Sequence, residues 1–326
     1  MSILVTGGKG QVGWELARLL RENGVPFAAP GHDELDITDD TSVRRTILRM
    51  SELDAVIHCA AYTAVDRAET EPEKAFQVNA RGTRIVAQAC AERNVAMVYL
   101  STDYVFDGTK SAPYEVDDPP SPINVYGKSK LAGEQAAREI LPDKHYIVRT
   151  SWVFGVHGNN FPKAILRAAA AGQPLRVVDD QVGSPTYAPD LAEAILMLLG
   201  IDLQHPEGVQ RISTDPDTGS HDALGCLQPA PYGTYHVTNS GSCSWYEFAR
   251  MITDLAHYAI AVIATKSESP SARAKRPTYS VLSNRSVRSV DLTVRPWVDA
   301  IAAYLVNHTA PSLGVGPQVS SEPGAR

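Results

Sequence analysis

Tyr126 and Lys130 stand four residues apart in the string Tyr126-Gly127-Lys128-Ser129-Lys130. On a helix that spacing puts both side chains on one face. A free phenol titrates near about 10 and is a poor acid or base at neutral pH. A neighbouring ammonium favours the phenolate and brings its pKa toward the working range, so the pair reads as a proton-transfer unit. The same spacing also occurs on the solvated face of amphipathic helices, where it does no chemistry. Position in the chain favours the first reading, because the pair follows Leu100-Ser101-Thr102-Asp103, the carboxyl end of a β-rich run. A hydroxyl at Thr102 would hydrogen-bond a substrate carbonyl opposite Tyr126, the two forming an electrophilic clamp. A local cap or turn hydroxyl is the other reading of Thr102.

The second chemical signal is Thr6-Gly7-Gly8-Lys9-Gly10-Gln11-Val12-Gly13, between an apolar run and a helical pattern. Gly7 allows a tight turn, Gly10 lets the backbone approach a pyrophosphate, and Gly13 lets the helix pack close to a sheet. The helix opening at Gln11 and Val12 offers unpaired N–H groups and a positive dipole end to an anion. A dinucleotide, NADPH or NADH, is the implied cofactor, and Lys130 can hold one of its ribose hydroxyls. At the tip of the second strand the chain reads Pro30-Gly31-His32-Asp33, with no arginine for a 2′-phosphate. Asp33 is either the acid that meets the ribose or a loop residue. Asp36 and Ile37 either flank the adenine or, for Asp36, open a turn. Dual use or a mild preference for NADPH is expected.

These residues need a scaffold, and the first 150 residues supply one by alternation. Strands are expected over Ser2–Thr6, Val25–Ala29, Ala55–Cys59, Val95–Ser101 and Tyr146–Thr150. Between them run helical patterns over Gln11–Arg21, Asp40–Met50, Pro72–Glu92 and Val125–Glu139. Repeated β-α-β units with continuous apolar strands imply an α/β fold of Rossmann type, a doubly wound parallel sheet. Residues 1–155 are read as that nucleotide-binding domain. Residues 156–308 form a smaller C-terminal substrate-binding lobe, with some elements returning to the sheet, and 309–326 a disordered tail. In the lobe, helices are expected over Asn160–Ala171, Pro189–Leu199, Ser244–Ala256 and Arg295–Asn307, and a strand over Tyr235–Thr238. Ser244 is the expected N-cap, with Glu247 closing a capping box. Gln204–Pro231, rich in Pro, Gly, Asp and Ser, reads as a long loop.

The formal net charge of -7 disfavours a partner such as nucleic acid, which selects a basic excess. Apolar runs fall short of the roughly 20 residues a membrane-spanning helix needs. Cys59, Cys90, Cys226 and Cys243 show neither paired nor metal-type spacing. A cytoplasmic protein without a catalytic metal is expected.

Together these strings resemble the dTDP-4-dehydrorhamnose reductase family of extended short-chain dehydrogenase/reductases. The resemblance also rests on Leu35-Asp36-Ile37-Thr38, Ala60-Ala61-Tyr62-Thr63-Ala64-Val65-Asp66 and Val78-Asn79. Ser101-Thr102-Asp103-Tyr104-Val105-Phe106-Asp107-Gly108 and Arg149-Thr150-Ser151-Trp152-Val153-Phe154-Gly155 carry it further. It thins after about residue 200 and resumes at Tyr235-His236 and Arg276-Pro277. The resemblance implies reduction of the 4-keto group of dTDP-4-dehydro-6-deoxy-L-mannose to dTDP-L-rhamnose, with Tyr126 protonating the oxygen. It places Ala60, Ala61, Tyr62 and Thr63 along the cofactor, and Thr102, Asp103 and Trp152 at the sugar. Core packing is the other reading of Trp152. Arg276 is a candidate for the nucleotide diphosphate, against a merely solvated surface charge. The state implied is a monomer or homodimer. A bridging structural Mg²⁺ is conceivable through Glu15, although Asp190 and Asp291 replace the expected glutamates. A nucleotide-sugar epimerase or dehydratase of the same fold is one alternative. A non-catalytic protein like the methionine adenosyltransferase regulatory subunit is another.

Overall fold

The computed structural model of the chain describes residues 1–203, 212–213, 227–267 and 274–309. Its central sheet has six parallel strands: β1 (Ile3–Thr6), β2 (Phe27–Ala28), β3 (Ala55–His58), β4 (Ala96–Thr102), β5 (His145–Thr150) and β6 (Gly233–His236). Their spatial order is β6-β5-β4-β3-β1-β2. Every residue of β1 and β3 is buried. A parallel sheet covered on both faces has no wet side, so these runs are continuously apolar up to the polar residues that end them, Thr6 and His58, rather than alternating.

The covering helices are α1 (Gln11–Glu22), α2 (Asp40–Arg49), α3 (Thr83–Arg93), α4 (Val125–Ile140), α5 (Phe161–Ala170), α6 (Ala188–Leu198), α7 (Trp245–Leu255) and α8 (Trp297–Thr309). Successive residues of β1 point to opposite faces. Ile3 and Val5 meet Leu16 and Leu20 of α1 and the wholly buried α6. Leu4 meets Val43 and Ile47 of α2 and Val86 of α3. The doubly wound α/β arrangement expected from the sequence is the one found.

The expected helix over Pro72–Glu92 is three pieces: an α-helical turn at Pro72–Phe76, a π segment at Gln77–Gly82, and α3. The widened turn presents the Asn79 carbonyl to the Thr83 hydroxyl at 2.7 Å and to Tyr99 Oη at 3.3 Å. It also turns the Asn79 side chain toward the sheet, where it finds Tyr62 and Ser129. π-Bulges are rare and often mark functional sites.

Beyond Ser151 a second core forms from Phe154, Tyr187, Phe248, Trp297, Ile301 and Tyr304. Short strand pairs frame it: Val153–Phe154 with Thr186–Tyr187, Leu175–Val178 with Val262–Thr265, and Val182–Gly183 with Cys243–Ser244. The capping box of α7 is present, Ser244 Oγ accepting from the Glu247 N–H and Glu247 Oε2 from the Ser244 N–H. Most of the expected Gln204–Pro231 loop, and the tail beyond Thr309, lie outside the described residues. No helix among the described residues is long and apolar enough to cross a membrane.

From β1 the chain winds to one side, to β2, and then crosses to the other, to β3. The loops at the carboxyl ends of β1 and β3 therefore diverge. That divergence opens a crevice of the kind in which open α/β sheets bind their ligands.

Candidate active site

The crevice is a cleft of about 750 Å³ running from the loop after β1 to the junction of β5 with the second core. At its first end Gly7 has φ +70°, a conformation L side chains rarely adopt. A Cβ on Gly13 would lie 2.3 Å from the Gly7 carbonyl oxygen, so only glycine allows α1 to start this close to the turn. Gly10 is the N-cap of α1 and contributes no side-chain cap. The orphan N–H groups of the first turn are thus left to a ligand, and the cradle suits a pyrophosphate. Gly7, Gly10, Gln11, Val12 and Gly13 all line the cleft.

The next wall is Ala60-Ala61-Tyr62-Thr63, following β3. Its backbone is pinned from below. Thr6 Oγ1 lies 2.7 Å from His58 Nδ1 and accepts the Ala60 N–H at 3.4 Å. His58 Nε2 reaches Thr83 Oγ1 at 3.2 Å, and burial plus the nearby Lys130 hold the ring neutral, at about 3. Asn79 Oδ1 accepts the Tyr62 N–H at 2.8 Å, while its Nδ2 donates to the Tyr62 carbonyl at 3.0 Å and to Ser129 Oγ at 2.9 Å. The π segment therefore fixes both the cleft wall and the start of α4. Asp36 and Ile37 also face the cleft, Asp36 with its Oδ1 occupied by the N–H and hydroxyl of Thr38 at 2.9 and 2.8 Å.

Tyr126 and Lys130 are brought to the cleft by α4, whose N-cap Asn124 accepts the Gly127 N–H at 2.7 Å. Thr102, at the end of β4, lies beside Tyr126 and donates to Asp103 Oδ1 at 3.1 Å. The expected lowering of the phenol is not found. Burial outweighs the nearby Thr102 hydroxyl and pushes Tyr126 up to about 12. The physical reason is the direction of Lys130, which donates to the Leu100 carbonyl at 2.6 Å and lies 4.2 Å from the Tyr99 ring centroid. Burial pushes Lys130 itself down to about 7, with Glu134 opposing. Asp103, 2% exposed, is raised to about 7 by burial, and its Oδ2 has no hydrogen-bond partner among the described residues. In the free protein near pH 7 the phenol is therefore protonated, while burial favours the neutral forms of Lys130 and Asp103.

Trp152 lines the far end with φ +48°, its indole stacked at 3.6 Å between ring centroids on Trp245 of α7. The two indoles form a face-to-face stack, with Gly183 also close against Trp152. Trp245 escaped the sequence reading because nothing local distinguishes it from a core aromatic at a helix start. Lys9, Tyr104 and Ser151, which line the cleft, were also missed as site residues, as was Asn79 behind its wall, although Val78-Asn79 was one of the strings that carried the resemblance.

Arg276 is not brought to the cleft wall. Its guanidinium is engaged by Asp66 at 3.0 and 2.7 Å. The bridging Mg²⁺ also finds no support. Glu15 is held by Arg18 at 2.9 Å, and the buried Asp190 by Arg295 through two bonds of 2.8 Å. No group of three His, Cys, Asp or Glu among the described residues is placed to hold a metal.

Comparison with known proteins agrees with this geometry. The chain is 39% identical over 303 residues to the spore coat polysaccharide biosynthesis protein SpsK of Bacillus subtilis, covering 93% of this chain and 96% of that one. It is 39% identical over 300 residues to a dTDP-4-dehydrorhamnose reductase of Streptomyces griseus, covering 91% of each. Among solved structures, the dTDP-4-dehydrorhamnose reductase of Bacillus anthracis in complex with NADP superposes with a TM-score of 0.82 at 36% identity, covering 94% of this chain and 99% of that one. The sequence profile of the RmlD substrate binding domain matches residues 1–310, and the chain belongs to that family.

Proposed function

We propose that the chain is an NAD(P)H-dependent oxidoreductase that reduces the 4-keto group of dTDP-4-dehydro-6-deoxy-L-mannose to dTDP-L-rhamnose. One observation carries the reading: a half-buried, protonated Tyr126, with Thr102 beside it, faces the same cleft as the glycine loop. The names of the similar reductases and the NADP in one of their structures support it.

When bound, a reduced nicotinamide supplies the hydride that the carbonyl carbon takes. Gly7, Gly10 and the first turn of α1 would hold its pyrophosphate. Tyr126 gives its phenolic proton to the carbonyl oxygen, so the keto group becomes an alcohol with one hydride and one proton added. A phenol raised to about 12 is fully loaded with that proton at neutral pH, which suits the reductive direction. Thr102 orients the oxygen between itself and Tyr126. Lys130 would hold a ribose hydroxyl of the cofactor, and its ammonium, where protonated, would favour the phenolate that proton transfer leaves. Asp103, which lines the cleft, would accept from a sugar hydroxyl, and the Trp152–Trp245 stack would border the ring.

A dehydratase would need a second carboxyl near the tyrosine. Besides Asp103, the only acid lining the cleft among the described residues is Asp36, at the glycine-loop end. The test is reduced-nicotinamide absorbance with purified protein, NADPH or NADH, and dTDP-4-dehydro-L-rhamnose, with product identified by NMR. Stoichiometric oxidation with formation of dTDP-L-rhamnose is expected. Binding of the cofactor without its consumption would leave an epimerase or a regulatory subunit as the better account.

A further inference from the structure

The end of the cleft near β2 is built differently from what an NAD-specific site asks for. Such sites place an acid against the adenosine ribose hydroxyls. Here Asp33, the acid at the strand tip, is 86% exposed and off the cleft wall. Glu34 accepts the Gly31 N–H at 2.6 Å, and Asp36 is engaged by Thr38. The side chains that do line this end, with Leu35, Asp36 and Ile37, are two nitrogen-bearing ones, Lys9 and His32. The stem of Lys9 lies against Gly31, where a Cβ would come within 2.4 Å of Lys9 Cδ. Its ammonium stands 3.8 Å from both Asp33 Oδ2 and Glu34 Oε2. At that distance, and with all three side chains more than half exposed, these are loose ion pairs that a stronger anion can displace.

We propose that Lys9 is the contact for the adenosine 2′-phosphate of the cofactor, and that Asp33 and Glu34 set how strongly it discriminates. The inference rests on the dinucleotide reading of the cleft and goes beyond it to cofactor choice. A phosphate dianion is a better partner for the ammonium than either carboxylate, so Lys9 favours the phosphorylated dinucleotide. The two acids oppose the same phosphate by like-charge repulsion, so the preference stays small and both dinucleotides are used.

The experiment is titration calorimetry of NADP⁺ and NAD⁺ against the wild type, Lys9→Ala and Asp33→Asn, read as the ratio of the two affinities. The sites are exposed, so the variants should fold. Lys9→Ala is expected to lower the NADP⁺ to NAD⁺ affinity ratio roughly tenfold. Asp33→Asn is expected to raise it about threefold, less at high salt. A ratio unmoved by Lys9→Ala, or not raised by Asp33→Asn at low salt, overturns the proposal. If neither dinucleotide binds the wild type, the dinucleotide reading itself falls, and the proposal with it.

Discussion

Asp103 keeps a buried carboxylate oxygen without a hydrogen-bond partner among the described residues, and that arrangement has a pH signature. Burial raises its pKa from the ordinary 3.8 to about 7. Between those values the folded chain holds a proton that the unfolded chain releases, so this group's contribution to stability falls as pH rises through the window. The burden is absent below about pH 4 and complete above about pH 7. Asp103→Asn should therefore raise the melting temperature by several degrees at pH 8 and much less at pH 4. Equal shifts at the two pH values would show that Asp103 does not titrate in this window. Residue types and spacing made much of the site legible: the i,i+4 pair on α4, the glycine loop, and Thr102-Asp103 at a strand end. They did not reveal which acceptor Lys130 chooses. That acceptor is the Leu100 carbonyl on another element, and only the packed structure brings it within reach.

At the scale of elements, α4 sits unusually close to the sheet. A Cβ on Gly133 would lie 2.2 Å from Tyr99 Oη and 2.4 Å from the Asn79 carbonyl oxygen, atoms of β4 and of the π segment. Gly133→Ala must push α4 outward and carry Tyr126 and Lys130 with it. A loss of about 1–3 kcal/mol in denaturant unfolding is expected, with a drop in kcat of at least roughly tenfold. Unchanged activity would mean that the site tolerates movement of α4. The strands and most helices could be read from periodicity, because burial on both faces makes parallel strands uniformly apolar. The π segment could not, since one wide turn shifts hydrogen-bond register without altering the apolar pattern. Trp245 was equally hidden, since only the tertiary fold sets it against Trp152.

Across the whole molecule, Glu134 and Arg149 tie the catalytic helix to three strands. Neither side chain is more than 1% exposed. Arg149 donates to both carboxylate oxygens of Glu134 at 2.9 and 2.8 Å, and Ser101 of β4 donates to one of them at 2.6 Å. Arg149 Nη1 also approaches His236 of β6 at 3.4 Å. Removing one partner of a buried pair strands the other charge. Glu134→Gln should cost about 3–5 kcal/mol in denaturant unfolding, and a loss below about 1 kcal/mol would show that the pair is not a structural joint. Because Glu134 also opposes the lowering of Lys130, the surviving enzyme should shift its pH profile to lower pH.

The proposed function turns on Tyr126 protonating a carbonyl oxygen during hydride reduction. The direct test is single-turnover oxidation of bound NADPH by dTDP-4-dehydro-L-rhamnose in the wild type and in Tyr126→Phe, with NADPH affinity measured alongside. Loss of a positioned proton donor should slow the step by roughly 10²–10⁴-fold, while NADPH still binds. A Tyr126→Phe protein that oxidises bound NADPH at the wild-type rate would contradict the account.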